Sequence, residues 1–88
     1  MNVVITDFSS PKTFSLKPSK KGLYSTFIIK IKGESNDSIA VFENQYIKLV
    51  GKIDTIFNVD YYGGTDATFY FYPHKATKGK LNIDMKIQ

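Results

Sequence analysis

The chain has no cysteine, which removes disulfides, zinc fingers, thiol nucleophiles and iron–sulfur ligation from consideration. It also has no arginine, and all 12 positive charges are lysine. Arginine supplies the planar fork that grips phosphate, carboxylate and guanine with two hydrogen bonds, so its absence weakens any reading built on such recognition. Histidine occurs once, at His74. Alanine is confined to Ala40, Ala67 and Ala76. No run approaches the roughly 20 apolar residues of a membrane helix, and no membrane insertion is expected. The N-terminal stretch lacks the layout of an export signal. An exported mature domain and a cytoplasmic protein both fit the sequence.

What is present favours strands. Length allows a single domain over residues 1–88. The apolar residues are mostly Ile, Phe, Val, Leu and Tyr, branched and aromatic side chains that suit a pleated surface. The clearest element is 80–88, where Leu81, Ile83, Met85 and Ile87 alternate with Lys80, Asn82, Asp84, Lys86 and Gln88. Period-2 alternation makes a strand with one buried and one wet face. Residues 23–32 repeat this, with Leu23, Phe27, Ile29 and Ile31 inward and Lys30 and Lys32 outward. Gly33-Glu34-Ser35-Asn36-Asp37 reads as a turn, so 23–32 and 38–42 are expected to form a hairpin. A strand is expected from Tyr46 to Ile53, then a bend at Asp54-Thr55 and extended chain to Val59. In 67–72, Ala67, Phe69 and Phe71 alternate with Thr68, Tyr70 and Tyr72. Pro73 ends that strand, because it has no N–H for a ladder. Two short strands are expected at 3–8 and 13–16.

About seven short strands at regular spacing predict a small all-β antiparallel domain, a Greek-key-like sandwich or, alternatively, a small barrel. The expected core is Ile5, Phe14, Leu16, Leu23, Phe27, Ile29, Ile31, Ile39, Val41, Ile47, Leu49, Ile53, Phe57, Phe69, Phe71, Leu81, Ile83, Met85 and Ile87. Charge is uneven: residues 1–35 carry +4, 36–74 carry −3 and 75–88 carry +3. Complementarity within one fold accounts for that distribution more simply than a binding patch does.

Catalytic signals are weak. His74 has no patterned nucleophile or acid, and no nucleophile elbow appears. Asp54, Asp60 and Asp66 recur at a spacing that matches no calcium loop. No metal, cofactor or catalytic residue is expected. Short acceptor patterns for sugars occur at Asn36-Asp37-Ser38, Asp37-Ser38-Ile39 and Asp54-Thr55-Ile56, and they tilt the reading only slightly toward export.

The aromatic pattern carries the functional expectation. Tyr70 and Tyr72 should share the outer face of one strand, with Tyr61 and Tyr62 at its rim. Tyrosine joins an apolar body to a polar tip and suits interfaces and sugar-stacking platforms. The expected function is a non-catalytic module that binds another protein, such as a small bacterial antagonist or immunity-type protein, or an accessory domain of an exported one. A glycan-binding module is the alternative. A single-strand nucleic-acid binder comes third, because the lysines, among them Lys20, Lys21, Lys75 and Lys78 in turns, stand away from the tyrosines. The sequence does not set the oligomeric state.

Overall fold

The computed structural model describes residues 1–17, 26–42, 47–61 and 66–87. Its strands are β1 (Asn2–Ile5), β2 (Lys12–Leu16), β3 (Thr26–Val41), β4 (Ile47–Asp60), β5 (Ala67–Tyr72) and β6 (Gly79–Ile87). All pairings are antiparallel, and the six strands form one curled sheet, a half-barrel. The expected small all-β antiparallel class therefore holds. Among the described residues there is no helix, hence none long and apolar enough to cross a membrane.

β3 organises the sheet. Along one edge it pairs with β4 over almost its whole length. Along the other it changes partner: Phe27–Ser35 face β6, and Ala40–Val41 face β5. β1 extends the sheet beyond β6, and β2 extends it beyond β5. Two half-sheets thus share the β3–β4 ribbon.

The change of partner happens at a bulge. Between the pairs Ser35↔Gly51 and Ile39↔Leu49, three residues of β3 stand against the single Val50. A bulge bends a strand and strengthens its twist. It also frees backbone groups that need other partners. The β5–β6 connection supplies them: Asn36 N–H donates to the Lys78 carbonyl at 2.9 Å, and Lys75 and Ala76 N–H donate to the Ser38 carbonyl at 3.0 and 3.2 Å. The Asn36 side chain adds a clip. Its Oδ1 accepts from Thr77 N–H at 3.0 Å and Lys78 N–H at 3.1 Å, and its Nδ2 donates to Thr77 Oγ1 at 2.9 Å.

These facts correct three expectations. Gly33–Asp37 do not reverse the chain. They lie inside a single strand, so the anticipated hairpin of 23–32 with 38–42 is one 16-residue strand and the described strands are six, not seven. No bend occurs at Asp54-Thr55, because both residues stay in register with Lys32 and Ile31. The first strand stops at Ile5, and Phe8 turns inward from the connection that follows.

The core follows the alternation. Ile29, Ile31, Ile39, Val41, Phe69, Phe71, Leu81, Ile83 and Met85 are buried, as expected. Phe14, Leu16, Ile47, Leu49, Phe57 and Ile87 are only partly covered. Leu23 lies outside the described residues. Four residues join the core unannounced: Phe8, Tyr61, Ala67 and Ala76. The Phe8 ring meets the Phe71 ring edge-on at 5.4 Å, and with the Glu34 backbone carbonyl it crowds the space that a Cβ on Gly79 would need.

Two glycines set the geometry of the ribbon. Gly33 has φ +149°, and a Cβ there would run into the Lys80 backbone carbonyl. Only glycine lets β3 cross β6 this closely. Gly51 has φ +73° opposite the bulge, with open space where its side chain would be.

Candidate recognition surface

β5 places its odd residues inward and its even residues outward. Phe69 and Phe71 are fully buried, while Thr68, Tyr70 and Tyr72 are half-buried on the opposite face. The register brings three hydroxyl residues and the two tyrosines together: Thr13 stands across from Tyr70, and Ser15 across from Thr68. Ser15 Oγ and Thr68 Oγ1 lie 3.4 Å apart. On the other side Tyr72 stands across from Ala40, which is fully buried although it points to the outer face. Tyr72 and Lys48 flank that alanine from β5 and β4. Among the described residues, the outer faces of β2 and β5 carry no charged side chain.

The outer face of the other half is charged in ordered rows. Glu34 stands between Lys52 and Lys80, Lys30 opposite Asp84, and Lys32 opposite Asp54. Every one of these cross-strand neighbours has opposite sign. None of them closes to an ion pair within 4 Å, so each contributes at the low end of the roughly 0.2–1 kcal/mol of such cross-strand neighbours. A shallow hollow of ≈ 470 Å³ lies among Lys32, Glu34, Lys52, Asp54, Lys80 and Asn82. Its lining carries three lysines, Lys32, Lys52 and Lys80, against two acids, Glu34 and Asp54, so the charges largely offset and leave only a weak positive field.

The other anticipated residues are distributed as follows. Tyr61 is in the core at 8% exposure, not at the rim of a tyrosine face. It sits one residue past the end of β4, where the strand's alternation no longer sets the direction of a side chain. Tyr62, Lys20 and Lys21 lie outside the described residues. Lys75 and Lys78 are exposed on the β5–β6 connection, which is stitched to the β3 bulge.

His74 has a structural partner that sequence reasoning missed. Its Nδ1 lies 2.9 Å from Ser38 Oγ. The neighbouring acid, Asp37, does not orient the imidazole, because its Oδ1 accepts from Ser38 N–H at 2.7 Å. With φ +54° at His74, the contact pins a tight turn against the bulge. Asn36, first residue of the sugar-acceptor pattern, has its amide committed to Thr77 and Lys78. Among the described residues no three His, Cys, Asp or Glu side chains converge as metal ligands would.

Comparison with known protein families, with curated proteins and with solved structures finds no match to this chain. The surface itself is the basis for a functional reading.

Proposed function

We propose that this chain is a non-catalytic recognition module that binds another protein through the outer face of β2 and β5. The observation that carries the reading is the patch of Thr13, Ser15, Thr68, Tyr70 and Tyr72, uncharged on β2 and β5, on a molecule whose other half sets rows of opposite charges outward. Interface centres are depleted of charge and enriched in tyrosine, with polar residues at the rim. Tyrosine carries a large contact area on two rotatable bonds, so ordering it on binding costs little entropy. Tyr70 and Tyr72 are the expected hot spots.

A glycan ligand is the second reading, favoured by one feature: three hydroxyls stand beside two rings that sugars can stack on. Single-stranded nucleic acid fits less well, because the patch lacks the lysines that would neutralise phosphates.

The test is capture of proteins from a lysate of the source cells, wild type against Tyr70→Ser/Tyr72→Ser, with circular dichroism confirming that both are folded. We expect a specific partner that the double variant loses. Identical captured sets would sink the protein-binding reading for this face. A signal on a polysaccharide panel that the same variant abolishes would move the assignment to glycans.

A further inference from the structure

β4 is where the core runs out. Among the described residues it pairs with β3 alone, leaving a 14-residue strand with its second edge open. The β3 residues Ile29, Ile39 and Val41 are fully buried, yet their partners Phe57, Leu49 and Ile47 on β4 are only partly covered. Val50 is 63% exposed, Ile56 57% and Val59 36%, so three of the five large exposed hydrophobics among the described residues are on this one strand. Natural sheets usually protect such an edge or pair it.

We infer that β4 pairs with β4 of a second copy, antiparallel about a two-fold axis through Ile53, so that the half-barrel continues across the dimer. The strand's own sequence selects this occupant and this register. A two-fold pairing keeps inward residues inward only when the axis passes through a residue. With the axis at Ile53, Lys52 faces Asp54 of the copy, and the symmetry makes the same pair twice. Val50 faces Ile56, Leu49 faces Phe57, and Ile47 faces Val59. The charges beside the axis meet their opposites, and each uncovered hydrophobic meets another.

Neighbouring registers fail on the same criteria. An axis at Lys52 sets lysine against lysine, and one at Asp54 sets aspartate against aspartate. An axis at Gly51 puts Val50 opposite Lys52, and one at Thr55 puts Val50 opposite Asp60. An axis at Ile56 pairs only 52–60 and leaves Val50 uncovered. The Ile53 register also sets Thr55 opposite Gly51, whose missing side chain leaves open space with nothing within 4 Å. This edge runs along the charged half and its 47–49 end reaches the half that holds β5, but β3 lies between it and the tyrosine patch proposed to bind a partner.

The test uses the full chain in sedimentation velocity across a concentration series. Wild type should pass from monomer to dimer as concentration rises. Lys52→Asp and Asp54→Lys each place two like-charge pairs across the axis, and each should weaken the dimer by about tenfold or more. An equimolar mixture of the two variants should dimerise again. One chain then carries acid at both positions and the other lysine at both, so both pairs across the axis have opposite sign. These changes also disturb the pairs with Glu34 and Lys32 within the chain. Mixing cannot repair an internal defect, so rescue reports the intermolecular pair alone. Ile56→Ser, at a side chain exposed in the monomer, should weaken the dimer without touching a charge. A wild type that stays monomeric to millimolar concentration overturns the proposal. So does a mixture that fails to restore what the single variants lose.

Discussion

The two ends of β3 send the same kind of residue inward and opposite kinds outward. Beside β6 the inner row is Phe27, Ile29 and Ile31, and beside β5 it is Ile39 and Val41. Outward, the β6 half shows Lys30, Lys32 and Glu34 among charges of opposite sign, and the β5 half shows hydroxyls and two tyrosines. Burial alone would have been satisfied by either outer surface. A solvated face needs charge for solubility and gains a little from pairing it. A face without charge, on the same sheet and in a chain with 23% charged residues, is the one suited to contact. The contrast separates two signals: the inward pattern reports the fold, and the outward pattern is the basis of the proposed use.

The largest expected effect breaks the charged half at its tightest point. Gly33→Ala drives a methyl into the Lys80 carbonyl, and backbone on both sides resists a shift. We expect a loss of about 3 kcal/mol or more, a large share of the roughly 5–10 kcal/mol available to a domain of this size. Gly51→Ala is the control. It also forces an L-residue to positive φ but meets open space, so about 1 kcal/mol is expected. Chemical denaturation of both variants measures the difference. Equal losses would mean that the close crossing of β3 and β6 is not what requires glycine at position 33.

A smaller effect sharpens the comparison of the outer faces. Glu34→Lys sets three lysines in one row with Lys52 and Lys80. It should cost about 1 kcal/mol in low salt, and less as salt screens the row. Ser15→Lys puts the same charge on the uncharged face, opposite Thr68, and should stay within about 0.5 kcal/mol with little salt dependence. Thermal melts at two ionic strengths decide it. If the two substitutions behave alike, the charged rows do not act as pairs.

The strands of both halves were legible in the sequence because period 2 is a local property. Phe69 and Phe71 against Tyr70 and Tyr72 could be assigned to faces without any tertiary knowledge. The bulge could not. Glycine, asparagine and aspartate at 33–37 serve a hairpin turn and an in-strand bulge equally well, since both require backbone that leaves the ladder. What decides between them is the distant β5–β6 connection, which satisfies Asn36 and Ser38. Tyr61 was misplaced for a related reason: alternation ends at Asp60, and beyond it the pattern has nothing to say about direction. Phe8 needed knowledge of Gly79, whose bare backbone makes room for the ring. Of the candidate site, Tyr70 and Tyr72 could be read from their strand, but the hydroxyls around them come mostly from β2 and required the register.

The smallest expected effect concerns the connection that carries the chain from one half to the other. Between β1 in the charged half and β2 in the uncharged half, Asp7 organises the turn. Its Oδ1 accepts from Ser9 Oγ and from Ser9 N–H at 2.9 Å, and Lys12 Nζ lies 3.5 Å from Oδ2. The Ser9 hydroxyl and then the Ser9 N–H hold the Asp7 carboxyl below its ordinary 3.8, with a lesser contribution from the Lys12 charge. Because the folded value is depressed, the stabilisation is present above the unfolded value. It is lost as pH falls through the lower folded value. Asp7 is exposed, so water screens the effect and the change in stability is small. An NMR titration of the Asp7 carboxyl should show a midpoint below 3.8, and Ser9→Ala should move it upward. A midpoint unmoved by Ser9→Ala would mean that the Ser9 hydroxyl does not hold the Asp7 carboxylate, and that the Ser9 N–H and Lys12 are the groups that favour its charged form.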